Sequence, residues 1–205
     1  MQRLTRCLAA LALHRCHHAL KRGESSSEGI ALFTRDDLFE LREVRVVGLD
    51  CAADSPPSLA ALLEAQPRTT EGLRGLPTVG QLALLRERRS GRSLLVANTH
   101  LYFANPAVHV RAMQTAHLLH HASSWARELE GGESEAEGGA VAEGGAAASA
   151  TSGAATGATA LVVAGDLNSD STDAVLRLLT DGSLSAHDPD WLHGALMWST
   201  SLGLE

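Results

Sequence analysis

Large side chains are scarce in this chain: aromatic residues make up 3% of its 205 residues, against 44% hydrophobic residues in all. Leu, Val and Ala are left to build one modest domain, with a real core that is thin in bulky groups. Cysteine offers no scaffold either. Cys7, Cys16 and Cys51 form no CxxC pair and cannot all pair with one another, which fits free thiols in a reducing compartment better than a disulfide scaffold. No membrane partner is expected, because the apolar stretch 7–13 is far too short to span a bilayer and lacks the small-residue cleavage site of a secretory signal. A uniform charge is absent too. The formal net charge is -7, but Glu128, Glu130, Glu133, Glu135, Glu137 and Glu143 share one segment without Lys or Arg, and setting those six aside leaves -1. The remainder has no global field to draw in nucleic acid, so any contact with phosphate must be local.

Residues 1–22 contain no acidic residue, while Arg3, Arg6, Arg15, Lys21 and Arg22 alternate with Leu and Ala. That is the composition of a mitochondrial presequence, and an amphipathic helix of the domain fits it equally well. His14, Cys16, His17 and His18 invite a zinc reading, but no second ligand pair follows at finger spacing, and a polar helix end accounts for them.

"GIALFTR" and "FELREVRVV" predict two strands joined as a hairpin through Asp36 and Asp37. Residues 50–77, with Pro56, Pro57, Pro67 and Pro77 around one helical candidate, "SLAALLEA", read as a connection over the surface. "TVGQLALLRE" and "SLLVANTHL" predict a second hairpin whose tip carries Arg86, Arg88, Arg89 and Arg92. Such a tip is usually a solvated turn, and contact with a phosphate backbone is the sharper alternative. Pro106 opens a helix over 107–129, with Val110, Met113, Ala116, Leu118 and Trp125 as its apolar face. His117, His120 and His121 lie on it at neighbour spacing, which permits a metal clamp. No HExxH glutamate accompanies them, so satisfied or exposed histidines are expected. Residues 130–159 collapse to Gly, Ala, Ser, Thr and Glu with a single Val and read as a flexible insertion.

In "LVVAGDLNSDS", Leu161 to Ala164 read as a strand covered on both faces, ended by Gly165, with Asp166 and Asn168 at its tip. "STDAVLRLLTDG" predicts a short helix capped by Ser171 or Thr172 and stopped at Gly182, and residues 187–205 carry no strand signal. Two strand tips then matter: "SLLVAN" runs into "THLYF", "ALVVAG" into "DLNS", and a long helix lies between them. If the strands are parallel neighbours, the crossover brings both tips to one edge, and His100, Asp166 and Asn168 share a crevice. The residue types suit phosphate chemistry. A carboxylate holds a cation or takes a proton, an amide orients a phosphoryl oxygen, and an imidazolium offsets charge growing on phosphorus. GDxN at a strand end is also ordinary cap and turn chemistry, so both readings stand on spacing alone.

"VANTHLYFANP" resembles the N-T-H-L block, and "VVAGDLNSDS" the G-D-[FL]-N-S block, of the endonuclease/exonuclease/phosphatase superfamily. "SEGIALFTR", "VGQLALL" and "GSLSAHDPDW" are most similar to its mitochondrial 2',5'-phosphodiesterase branch, a relative of the poly(A) deadenylases. The resemblance implies a deoxyribonuclease-I-like four-layer α/β sandwich with mixed sheets over residues 23–205, preceded by the segment 1–22 and interrupted at 130–159. It implies a Mg²⁺-dependent phosphodiesterase or exoribonuclease, with Mn²⁺ as a substitute, acting on RNA or 2',5'-linked oligoadenylate. The implied location is the mitochondrial matrix, with the cytoplasm as alternative. By position, Asp166 is the expected catalytic acid/base and a metal ligand, Asn168 contacts metal or phosphate, and His100 stabilises the transition state. Asn98 supports the loop at the strand end and, with Glu28, is placed near the substrate phosphate.

The chain departs from the family pattern in two places: it has no Gln-Glu dipeptide for the early metal-binding block and no Ser-Asp-His block. A partial domain is therefore expected, incomplete at both ends, with weakened metal affinity, unpaired sheet edges and exposed apolar faces. The rival readings are a non-catalytic fragment or binding module of the same fold, and a sister-branch deadenylase or sphingomyelinase-like lipid phosphodiesterase.

Overall fold

The computed structural model describes residues 14–22, 28–105, 107–136 and 159–191. Strands β1 (His14–Leu20) and β2 (Gly29–Arg35) form an antiparallel pair. A second sheet has the order β3 (Phe39–Gly48), β4 (Val79–Glu87), β5 (Ser93–His100) and β6 (Ala160–Asp166). Its first three strands are antiparallel, whereas β5 and β6 run parallel, so the sheet is mixed. Between β5 and β6 the chain passes through helix α3 (Val108–Ala136), as a parallel pair requires.

Each run of alternating or continuous apolar residues became a strand, but the expected hairpin between β2 and β3 did not form. The turn itself exists: Leu38 N–H donates to Arg35 O at 3.1 Å, and the Arg35 guanidinium holds Asp37 at 2.6 Å. It hands the chain from the small sheet to the large one, because β3 is paired with β4 from Phe39 to Gly48. Arg88 pins the corner with its backbone N–H on Leu38 O and its Nε on Asp36 O.

The helix expected within residues 1–22 is corrected for its described part. His14 to Leu20 pairs along the whole of β2, with Ala19 buried and His18 and Leu20 exposed in the alternation of a strand. Residues 1–13 lie outside the described residues. A leader reaching Arg22 would take β1 with it, and with it the Arg22 to Asp50 ion pair at 2.6 Å.

Residues 50–77 pack more closely than a surface connection. Helices α1 (Pro57–Ala65) and α2 (Pro67–Arg74) each begin with proline at the first turn, where its missing N–H costs nothing. They bury Leu59, Leu63 and Leu73 against Cys51, Val110 and Met113. Helix α3 runs past the expected end at Leu129 to Ala136, through a stretch that holds Gly131 and Gly132. The rest of the expected insertion, residues 137–158, lies outside the described residues, as do Pro106 and the tail 192–205. Helix α4 (Ala174–Asp181) starts at Asp173, not at Ser171 or Thr172, and stops at Gly182 in the left-handed region. Its first free N–H, that of Ala174, is capped from a distance by the Asp190 carboxylate at 2.8 Å.

Helices α3 and α4 cover one face of the large sheet. Leu82, Leu84, Leu95 and Ala97 meet Leu118, Ala122, Trp125 and Val175 there. Trp125, the largest fully buried side chain among the described residues, lies under the Arg45 guanidinium at 4.0 Å, and Arg45 reaches on to Glu128. The other face meets β1 and β2, with Ala19, Ile30 and Val79 as a small apolar cluster. Helix layer, mixed sheet and second sheet make three layers of the expected α/β sandwich among the described residues. Strand β6 is the exception to the expected burial: Leu161 and Val162 are 36% and 44% exposed, because no described strand pairs with its outer edge.

Two buried histidines on α3 give the fold a pH response. Burial pushes His109 and His117 down to about 4, with Arg111 adding to the effect on His109 and His121 to that on His117. Both are neutral in the folded chain, and His117 Nδ1 lies 3.0 Å from Ser55 Oγ. The unfolded chain binds their protons near the ordinary histidine value of 6.5, so stability is complete above that pH and falls as pH drops toward 4. Urea titrations between pH 7 and 4 are expected to show this loss, and His117→Gln to flatten it; an unchanged slope contradicts the assignment.

Candidate active site

The tips of β5 and β6 meet. Their parallel register sets Thr99 opposite Gly165 and His100 opposite Asp166. Gly165 explains how the strands come so close: a Cβ there would fall 1.9 Å from Thr99 O, and its φ of 125° is one that L side chains rarely adopt. Asp166 then leaves the sheet with its side chain 63% exposed, and its Oδ2 lies 3.9 Å from His100 Nε2.

The loop that follows is locally determined. Asn168 N–H donates to Asp166 Oδ1 at 2.9 Å, an Asx-turn. Asn168 itself has a φ of 48°, which asparagine tolerates better than other non-glycine residues. Its Nδ2 donates to Leu101 O at 2.9 Å, and Leu101 N–H donates to Asp166 O at 2.9 Å. The two tips are thus stitched together twice. An open cleft of about 920 Å³ adjoins them, lined by Asp166, Leu167, Asn168, Ser169 and Ser171. His100, Asp166 and Asn168 stand together as the strand tips require.

Glu28 and Asn98 take other places. Glu28 precedes β2 across from His100. The Lys21 ammonium, bonded at 2.7 Å, holds its carboxyl below the usual carboxylate range, and His100 adds a smaller pull. Asn98 faces the small sheet from the same side of β5 as His100, but two residues deeper. It is buried, with its Nδ2 on Ala31 O at 3.2 Å and Gln81 Oε1 at 3.4 Å, and it braces the two sheets. The arginine-rich turn at 88–92 lies at the opposite end of β5, roughly 23 Å from His100 by strand rise. It does not join this site. Neither do His117, His120 and His121.

For the cation implied by the resemblance, the described residues at this edge offer Asp166 as an exposed carboxylate and Asn168 beside it. Asp166 brings one carboxylate with Oδ1 already taken, Glu28 is held by Lys21, and among the described residues no three His, Cys, Asp or Glu converge as metal ligands. No described helix is long and apolar enough to cross a membrane. Sequence reasoning passed over two residues at this edge. Phe103, in the loop after His100, is 73% exposed with its ring 5.4 Å from that of Tyr102. Arg111 is 1% exposed beneath both loops. Phe103 was visible within "THLYF", whereas nothing in sequence separates a buried helical arginine from a surface one.

No family model matches this chain, and no curated protein matches it. Solved structures do. The crystal structure of ANGEL2, a 2',3'-cyclic phosphatase, in complex with adenosine-2',3'-vanadate superposes with a TM-score of 0.55 at 19% identity, over 86% of this chain and 39% of that one. A functionally unknown conserved protein from Enterococcus faecalis V583 gives 0.54 at 16% identity, over 87% of this chain and 54% of that one. An endonuclease/exonuclease/phosphatase family protein from Bacteroides thetaiotaomicron gives 0.49 at 14%, over 89% and 51%. The chain spans about half the length of these structures or less. At such identities the likeness establishes architecture and not activity. With its mixed sheet, its helical layer and its two joined strand tips, the chain has the deoxyribonuclease-I-like α/β fold, over part of the length of the structures that share it.

Proposed function

We propose that this chain is a phosphodiesterase of nucleotide or RNA substrates, of the 2',5'-phosphodiesterase or 3'-5' exoribonuclease kind. The observation that carries the reading is the convergence of His100, Asp166 and Asn168 at two adjoining strand tips. Asp166 Oδ2 is the exposed base that takes a proton from attacking water. The His100 ring, with Nε2 3.9 Å away, is placed to donate a hydrogen bond that offsets charge growing on phosphorus. Asn168, with one amide hydrogen committed to Leu101 O, has a second to orient a phosphoryl oxygen.

The exposed Phe103 ring supports a nucleobase-bearing substrate, because a base can stack on it beside the tips. Phe103→Ala is expected to raise KM for oligoadenylate by about tenfold with little change in kcat. An unchanged KM removes the stacking role.

Purified protein, supplied with Mg²⁺ and with 2',5'- or 3',5'-linked oligoadenylate, tests the reading. Cleavage of either linkage supports it and names the linkage. One observation favours a second reading, a binding module without turnover: no three-residue metal cluster forms among the described residues. Saturable oligoadenylate binding with no product would establish that alternative and reject hydrolysis.

A further inference from the structure

Arg111 carries a cationic group into the interior and is 1% exposed, an expensive placement unless its donors are well used. Among the described residues, its guanidinium bonds to groups in the two loops that follow the strand tips. Nη1 donates to Ala104 O at 2.7 Å and Nη2 to Asn105 O at 3.1 Å, both in the loop after His100. Nε donates to Ser169 Oγ at 3.2 Å, and Nη2 lies 3.6 Å from Asp173 Oδ2, both in the loop after Asp166. Ser169 Oγ in turn donates to Leu167 O, and Asp173 Oδ2 accepts from Asp170 N–H, so the fork grips the segment on both sides of Asn168. One helical turn on, Gln114, fully buried, accepts Tyr102 N–H at 3.0 Å and adds a tie to the first loop.

We propose that Arg111 is the positioning residue of the site: its planar fork sets the spacing between the loop that carries His100 and the loop that carries Asp166 and Asn168. The catalytic consequence rests on the phosphodiesterase reading, but the mechanical one does not. Lysine keeps the charge and lacks the fork, so it cannot hold both loops at once. In Arg111→Lys, amide hydrogen exchange is expected to quicken on the order of tenfold in 101–105 and 167–173 together, with β4 unchanged. Ser169→Ala cuts a single arm and is expected to loosen 167–170 alone. Where the wild type turns over oligoadenylate, Arg111→Lys is expected to lower kcat on the order of 100-fold, with KM within about threefold, because a small misplacement of reacting groups is that costly. Exchange that quickens in one loop only, in neither, or uniformly through β4 and α3 overturns the brace, as does Ser169→Ala without effect. A wild type that cleaves nothing rejects the phosphodiesterase reading, and the exchange result still decides the brace.

Discussion

Gly165→Ala is expected to destabilise the chain by about 3 kcal/mol or more, lowering Tm by roughly 6 °C or more. Two costs coincide there. The residue holds a φ of 125°, and the added Cβ would fall 1.9 Å from Thr99 O and 2.9 Å from Thr99 C and N. Those are backbone atoms of the neighbouring strand, so relief requires β5 and β6 to separate at the point where His100 faces Asp166. Activity is expected to fall with stability. Gly182 supplies the control: its φ is 73°, yet nothing lies within 4 Å of its added Cβ. Gly182→Ala should cost only about 1 kcal/mol. Equal losses in thermal unfolding would show that torsion alone sets the cost and that the close approach of the strands does not matter.

Asp166→Ala is expected to lower kcat by about 1000-fold, the contribution of a well-placed general base. The substitution also removes the Asx-turn acceptor of Asn168 N–H, so the loop shifts along with the chemistry. Asp166→Asn separates the two effects, since the carboxamide oxygen still accepts that hydrogen bond but takes no proton. If Asp166→Asn is as inactive as Asp166→Ala while unfolding at the wild-type temperature, the proton transfer is assigned to Asp166. Cleavage that survives both substitutions unchanged would move the chemistry elsewhere.

The apolar runs behind β2 to β6 were legible because Val, Leu and Ile suit a strand whether it is buried, as β4 is, or exposed, as β6 is. The joins were less so. Asp36 and Asp37 make the same turn whether the next strand returns to the same sheet or departs for another, and only the pairing of β3 with β4 decides. Pro67 stands among the prolines of the expected surface connection, yet it opens α2, since proline's effect depends on which side of it the helix lies. In β1, His14, Cys16, His17 and His18 read as a polar helix end in isolation, and pairing with β2 overrides that reading. At the site, His100, Asp166 and Asn168 could be placed because a strand tip fixes position whatever the rest of the fold does. Asn98 shares a face with His100, but its depth between the sheets belongs to tertiary packing. The reach of Arg111 across two loops separated by the whole of α3 is likewise visible only in three dimensions.

The shared strand-tip site is tested most directly by NMR titration of the full chain with adenosine 2'-monophosphate and adenosine 3'-monophosphate. The His100 ring and the Asn168 side-chain amide are expected to shift along one binding curve, and Asp166→Ala to alter both. Shifts that follow two unrelated curves, or that gather at Arg88 and Arg89 while His100 and Asn168 stay still, would contradict a common phosphate site at the joined ends of β5 and β6.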